Sequence, residues 1–288
     1  MRGVDTEILE IKLAGGWRGL AVVRAGSSGQ FSKSGWEKLL AWPEKLLEES
    51  QQTLNSNGNN MVKIRNLNVD GVDVKAVLKQ RRRRWGIREA FRSLGEAQAI
   101  RNFATAIRMK QYGLPVAAPL AAVYHRIFFL CDRSIYISEY VNGTNLYDFL
   151  RNMQKNGIER YRIMQELSEQ MSDIFANLHK NNLWHRDAKA SNFVVSRNSD
   201  GENRITITDV DGIKPYISRS AERQMQGLWQ LAASVIALPG ITRTDYLRTF
   251  EKYCDKVGID SEEREGIFRR LVRKTQAKYH LKQAKQGR

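Results

Sequence analysis

His185-Arg186-Asp187-Ala188-Lys189-Ala190-Ser191-Asn192 is the stretch on which the fold turns. It places a carboxylate, a cation two residues later and a neutral amide five residues later on one short polar loop. Seventeen residues past Asn192 comes an acidic turn, Asp209-Val210-Asp211-Gly212. Each fragment alone is a weak signal, but their order and separation between apolar runs make a strong one. Ahead of the loop, Tyr161, Met164, Leu167, Met171, Ile174, Phe175 and Leu178 recur at helical spacing over 159–180, and Asn181-Asn182 ends that helix. Behind it, Phe193-Val194-Val195 and Ile205-Thr206-Ile207-Thr208 read as two short strands around a polar hairpin from Ser196 to Arg204.

The loop matches H-R-D-x-x-x-x-N, the catalytic loop of protein-kinase-like enzymes, and Asp209-Val210-Asp211-Gly212 matches their metal-binding turn. The chemistry accounts for the residue types. Phosphoryl transfer needs a positioned nucleophile and neutralised negative charge, and little covalent work from the protein. Asp187 is the expected catalytic residue, accepting or orienting the proton of an attacking hydroxyl, and Lys189 can reach the transferring phosphate. Asn192 and Asp209 are the expected magnesium ligands, since magnesium favours hard oxygen donors and keeps several waters. His185 reads as a structural residue bonded to the backbone near Asp209. The expected fold is α+β, a protein-kinase-like two-lobe arrangement. A small β-rich, ATP-binding N-lobe with an N-terminal extension spans 1–141, and a larger, mostly helical C-lobe with a basic tail spans 142–288.

Toward the N-terminus, Ile8–Leu13 and Gly19–Val23 read as strands, and Trp36 to Glu49 as a helix interrupted at Pro43. Met61–Val69 and Val72–Gln80 form a hairpin turned at Asp70-Gly71. On its second strand Val72, Val74, Ala76 and Leu78 share one face, and Asp73, Lys75, Val77 and Lys79 the other. Lys79 is the expected phosphate-binding lysine, because a small apolar Val77 precedes it by two; Lys75, preceded by Asp73, is the second candidate. A carboxylate partner should come from the next helix. Glu96 is in phase with Ile100, Phe103 and Ile107, although counting back from Gly113-Leu114-Pro115 points to position 102, which is Asn102. There is no G-x-G-x-x-G, and Ser56 to Asn60 occupies the place of a phosphate-covering loop. Ile135–Tyr140 runs into Val141-Asn142-Gly143 like an inter-lobe hinge, where backbone groups of Glu139 and Val141 would bond adenine.

Composition sets outer bounds. The chain has 288 residues, is 42% hydrophobic and holds no run of eighteen apolar residues, so no transmembrane helix is expected. Met1 to Gly16 lacks an apolar signal core, and Cys131 and Cys254 form no CxxC pattern, which points to a reducing cytoplasm. Its 47 Lys and Arg against 31 Asp and Glu give a net charge of +16, concentrated at Arg81-Arg82-Arg83-Arg84 and between Arg269 and Arg288. Such clusters attract phosphate-rich partners, whether nucleotide, nucleic acid or an anionic membrane surface.

After Gly212 only a few residues precede the next helix, roughly Ser218 to Ala237, and no A-P-E occurs. That leaves no platform for an extended peptide and favours a small or glycan-like acceptor. Here the chain resembles the bacterial lipopolysaccharide kinase group, kinase-fold enzymes that phosphorylate Kdo or heptose of the lipid A inner core. The similar stretches are Gly113-Leu114-Pro115-Val116-Ala117-Ala118-Pro119-Leu120, Tyr140-Val141-Asn142-Gly143, the catalytic loop with Asp209-Val210-Asp211, Leu228 to Ser234, and Arg243 to Tyr253. The likeness covers roughly 60–255 and leaves out the first 55 residues and the basic tail. It implies use of ATP and magnesium, Asp187 as catalytic residue, a lipid-linked glycan acceptor and peripheral contact with the inner face of the inner membrane; nucleic acid is not an expected partner. Two other readings stand beside it: a small atypical Ser/Thr protein kinase, and a pseudokinase that binds anionic partners through its basic clusters.

Overall fold

Strict alternation along 72–82 produces a strand whose Val74, Ala76, Leu78 and Gln80 are buried while Asp73 and Lys75 stay exposed. The computed structural model describes residues 7–23, 31–48, 52–57, 60–82, 94–153, 157–216 and 221–286. They fall into two compact units, one formed by 1–111 with 117–140, the other by 112–116 with 141–288. The fold class is the expected α+β, with the β-rich part first and the helical part second.

The first unit is built on one antiparallel sheet. Its strands are β1 (Glu7–Lys12), β2 (Trp17–Val23), β3 (Gln52–Asn57), β4 (Asn60–Val69), β5 (Val72–Arg82), β6 (Pro119–Ile127) and β7 (Leu130–Glu139), in the order β1-β2-β6-β7-β5-β4-β3. The β4–β5 turn has φ of 54° at Asp70 and 83° at Gly71, the paired left-handed conformation whose twist suits a two-residue hairpin. Helix α3 (Gln98–Gln111) covers β6 and β7 with Ala99, Ile100, Phe103, Ala106 and Met109. Two short helices, α1 (Lys33–Leu39) and α2 (Lys45–Glu48), bracket Pro43, as its missing N–H requires. Trp36 of α1 is sunk in the core and donates its indole N–H to the Val22 carbonyl at 2.9 Å. Strand β2 can lie against β6 because residue 19 is glycine: a Cβ there would overlap the Ala122 carbonyl oxygen.

The second unit starts with β8 (Thr144–Asn145) and α4 (Leu146–Arg151), then the long α5 (Gly157–Lys180). Ile163, Met164, Leu167, Met171, Ile174, Phe175 and Leu178 form the buried stripe of α5. Tyr161, expected in that stripe, is exposed instead, with the Arg248 guanidinium 5.0 Å above its ring. Strands β9 (Leu183–His185), β10 (Phe193–Arg197), β11 (Asn203–Ile207) and β12 (Ile213–Pro215) follow, then helices α6 (Ala221–Val235), α7 (Arg243–Val257) and α8 (Ser261–Gln286). Thr242 and Asp245 cap α7 reciprocally, and the buried Asp245 carboxylate also binds Arg160 and Arg248, each at 2.9 Å. The basic tail is no frayed end: its helix α8 buries Phe268, Leu271 and Thr275, with Phe268 5.3 Å from Phe250. Among the described residues no helix is long and apolar enough to cross a membrane.

His179 sits deep in this helical core with its Nδ1 2.8 Å from the Tyr253 hydroxyl, and burial lowers its pKa from 6.5 to about 4. A histidine lowered in the folded state takes up a proton on unfolding, so its contribution is complete above pH 6.5 and is lost as pH falls toward 4. Stability measured by denaturant titration should therefore decline through that window, by at most about 1.4 kcal/mol per pH unit for each such proton. His179→Gln should give a shallower slope; an unchanged slope would show that this imidazole does not couple to folding.

Candidate active site

Strand β9 pairs with β12 in register His185↔Ile213, and the next rung is a bond from the Arg186 N–H to the Gly212 carbonyl at 2.8 Å. This short pairing brings the polar loop and the acidic turn together. His185 is wholly buried between them and its Nδ1 accepts the Asp187 N–H at 3.3 Å. The sequence placed that bond near Asp209; the ring instead caps the amide two residues along its own loop. Burial lowers the His185 pKa to about 4, against the pull of the Asp209 and Asp187 carboxylates. The ring is neutral and structural. Gly212 makes room for it, since a Cβ there would lie 2.7 Å from both Cε1 and Nδ1 of His185.

Past His185 the loop turns on its own backbone. The Lys189 N–H reaches the Asp187 carbonyl and the Asn192 N–H reaches the Lys189 carbonyl, both at 2.9 Å. The Asn192 side-chain N–H also donates to the Asp187 carbonyl, at 2.8 Å. That bond commits the amide nitrogen and leaves Oδ1 as the acceptor atom of the side chain. The Asn192 carbonyl receives the Thr208 N–H at 2.9 Å, which sets Asp209 directly beside the loop. Buried Val210 anchors the acidic turn, and Asp209 Oδ1 accepts the Asp211 N–H at 3.4 Å. Asp187, Lys189, Asn192 and Asp209 thus converge, with Lys189 Nζ 2.7 Å from Asp187 Oδ2. The Asp187–Lys189 pair is solvent-exposed, so it adds little to stability.

Three side chains that frame this loop were not legible as site residues. The Ser234 hydroxyl accepts the Ala190 N–H at 2.9 Å, Thr208 Oγ1 donates to the Asn192 carbonyl at 3.2 Å, and the Gln226 amide donates to the Arg186 carbonyl at 3.3 Å. Gln226 and Ser234 lie on α6, and a lone polar residue on a helix carries no sequence signal until its neighbour in space is known.

The remaining sequence candidates belong mainly to the first unit. Lys79 lies on β5 opposite Val62 on one side and Tyr136 on the other. Lys75 is engaged elsewhere, its Nζ 4.1 Å from the Tyr140 ring centroid. Glu96 is not on the helix face expected for it: α3 begins only at Gln98, and Gly95 and Glu96 lie in a bend ahead of it. Glu96 is exposed there, its carbonyl bonded by Arg101. The buried polar residue on α3 is Asn102, whose Oδ1 accepts the Gln98 amide at 2.8 Å. At the end of β7 the Glu139 N–H is given to the Ala118 carbonyl and the Tyr140 N–H to the Lys75 carbonyl, each at 2.8 Å. Val141 opens the long second segment of the second unit. Of the turn from Ser56 to Asn60, Gly58 and Asn59 lie outside the described residues, and Asn57 pairs with Asn60 across the β3–β4 hairpin.

Comparison with known proteins bears on the fold and the family. A model of the lipopolysaccharide kinase (Kdo/WaaP) family matches residues 49–253. A solved structure of WaaP in complex with acyl carrier protein superposes with a TM-score of 0.61 at 18% identity, covering 82% of this chain and 92% of that one; at that identity the likeness is one of fold. No curated protein sequence matches.

The glycine at 212 gives a direct test. Gly212→Ala forces a methyl group into the His185 ring and should cost about 1–3 kcal/mol, seen as a drop in Tm of about 2–4 °C per kcal/mol. Turnover should fall with it, because the same ring holds the Asp187 amide. A variant with wild-type Tm and wild-type turnover would contradict this account of the loop.

Proposed function

The chain belongs to the lipopolysaccharide kinase (Kdo/WaaP) family, and from that premise we propose an ATP- and magnesium-dependent kinase acting on a sugar hydroxyl of the Kdo or heptose inner core, or of a related glycolipid. The observation that carries this reading is the convergence of Asp187, Lys189, Asn192 and Asp209 on the rigid β9–β12 pairing. In the proposed assignment the Asp187 carboxylate accepts the proton of the attacking hydroxyl. Neutral His185 cannot share that task, being buried with its Nδ1 already accepting the Asp187 N–H. Lys189 holds Asp187 in place and offers positive charge to the group in flight.

The donor set suits magnesium, one carboxylate from Asp209 and one amide oxygen from Asn192 whose nitrogen is already committed. Bound Mg·ATP would supply the phosphoryl group and offset its charge. In the first unit Lys79 is proposed to contact the phosphates, and the Glu139 carbonyl and Val141 N–H to contact adenine; Glu96, off the helix, is given no role. The lobe division proposed is an ATP-binding part through 141 and a catalytic part from 142. The acceptor is read as a glycan because β12 pairs straight back onto β9, and only 216–220 separate it from α6. A lipid-linked acceptor would place the protein at the inner face of the inner membrane, where its charge of +16 favours anionic lipid.

Magnesium-dependent ATP consumption, measured with and without deacylated lipopolysaccharide core, tests the assignment. Wild-type turnover should rise with the glycan, and Asp187→Asn should reduce it by about 10²–10⁴-fold, the range for loss of a positioned general base. Undiminished turnover in Asp187→Asn would remove that residue from the mechanism, and glycan-independent turnover would remove the acceptor.

A further inference from the structure

The β6–β7 hairpin ends in Ile127-Phe128-Phe129-Leu130, with Ile127 facing Leu130 across the last rung. Phe128 has φ of 55°, a left-handed conformation that a bulky aromatic resists. Asparagine or glycine would fit this turn better, yet the two tip positions are phenylalanines that are 92% and 78% exposed, beside an Ile127 that is 50% exposed. These side chains add nothing to the core. An apolar tip of this kind marks a contact with something outside the chain.

The tip is braced and rimmed by arginines. The Arg126 guanidinium lies 5.6 Å from the Tyr124 ring and donates to the Phe129 carbonyl at 2.7 Å and to the Gly95 carbonyl at 2.9 Å. It ties the turn to the segment ahead of α3, where Leu94 is also exposed. Arg133 stands opposite Arg82 on β5, and both reach Glu44, with Asp132 taking a second bond from Arg133. Strand β5 leaves this end of the sheet through Arg81 and Arg82, and two more arginines follow in sequence. Among the described residues, Arg81, Arg82, Arg101, Arg126 and Arg133 thus outnumber Glu44, Glu96 and Asp132 on this end of the unit.

We propose that this hairpin is a membrane anchor, in which Phe128 and Phe129 enter the interfacial zone of an anionic bilayer and the surrounding arginines meet its headgroups. A convex tip of two aromatic side chains is too small for a specific protein interface, which needs about 800 Å² on each partner. A bilayer surface accepts such a wedge without a matching pocket. Lasting attachment takes two signals, an apolar insertion and a basic surface, and both occur here on one rigid sheet end. The anchor rests on the lipid-linked acceptor proposed above, since it would bring the first unit to the surface where that acceptor lies.

Co-sedimentation of the full chain with vesicles of phosphatidylethanolamine and phosphatidylglycerol, beside vesicles of phosphatidylcholine alone, tests the proposal. The wild type should pellet with the anionic vesicles, less so at high salt. Phe128→Ser/Phe129→Ser should weaken that partition by about tenfold or more, since two aromatic rings no longer leave water. The double variant should keep its Tm and its turnover on deacylated, water-soluble core. Equal vesicle binding by wild type and variant, or no binding by either, overturns the anchor. Loss of a dimer in light scattering, in place of loss of vesicle binding, would assign the tip to a protein contact and overturn it too. Absence of turnover on every glycan would instead count against the kinase assignment and leave the vesicle result standing.

Discussion

The bond from the Arg186 N–H to the Gly212 carbonyl, with the His185 ring packed against Gly212, sets the polar loop and the acidic turn side by side. Strands β9 and β12 are three residues each and would not pair by themselves. They pair because Leu183, His185 and Ile213 are buried. The core fixes the strands, the strands fix where two loops begin, and the loops can then be short. Short loops suit chemistry that depends on position more than on covalent participation.

A site so placed carries costs that its surroundings offset. His185 Nε2 is buried without a hydrogen-bond partner, a penalty of about 1–3 kcal/mol for a polar atom. The ring stays because its other nitrogen receives the Asp187 amide and its bulk fills the space left by Gly212. Asp245 answers the same problem differently. Its carboxylate is buried, yet two arginines and the Thr242 cap satisfy it. Burial pushes that carboxyl up, but the Thr242 and Arg160 bonds outweigh it and hold the pKa below the usual carboxylate value.

What could be read from the sequence follows from how local each signal is. The α5 stripe, the strands that flank the polar loop from His185 to Asn192, and the β4–β5 hairpin were all legible, because helical period, strand period and turn residues act over a few positions. Glu96 was misplaced because phase with Ile100 and Phe103 says nothing about where a helix begins, and α3 begins only at Gln98. The segment Ser261–Gln286, strongly basic in composition, proved to be a helix docked through Phe268, Leu271 and Thr275, a spacing easily lost among so many lysines and arginines. Ser234, Thr208 and Gln226 were invisible because each acts through one hydrogen bond to a segment distant in sequence.

Strands β1 and β2 precede the residues that the family model matches, and they close one side of the sheet. Without them β6 would be an edge, with Leu120 to Val123 completely buried in the present arrangement and their backbone groups open to any passing strand. With them the boundary moves outward to β1, whose Glu7, Glu10 and Lys12 put charge along the new rim. Gly19 is the residue that lets this seal close. With β2 paired along β6, the buried run from Leu120 to Val123 lies inside the sheet, and the exposed edge is a strand that carries charge at Glu7, Glu10 and Lys12.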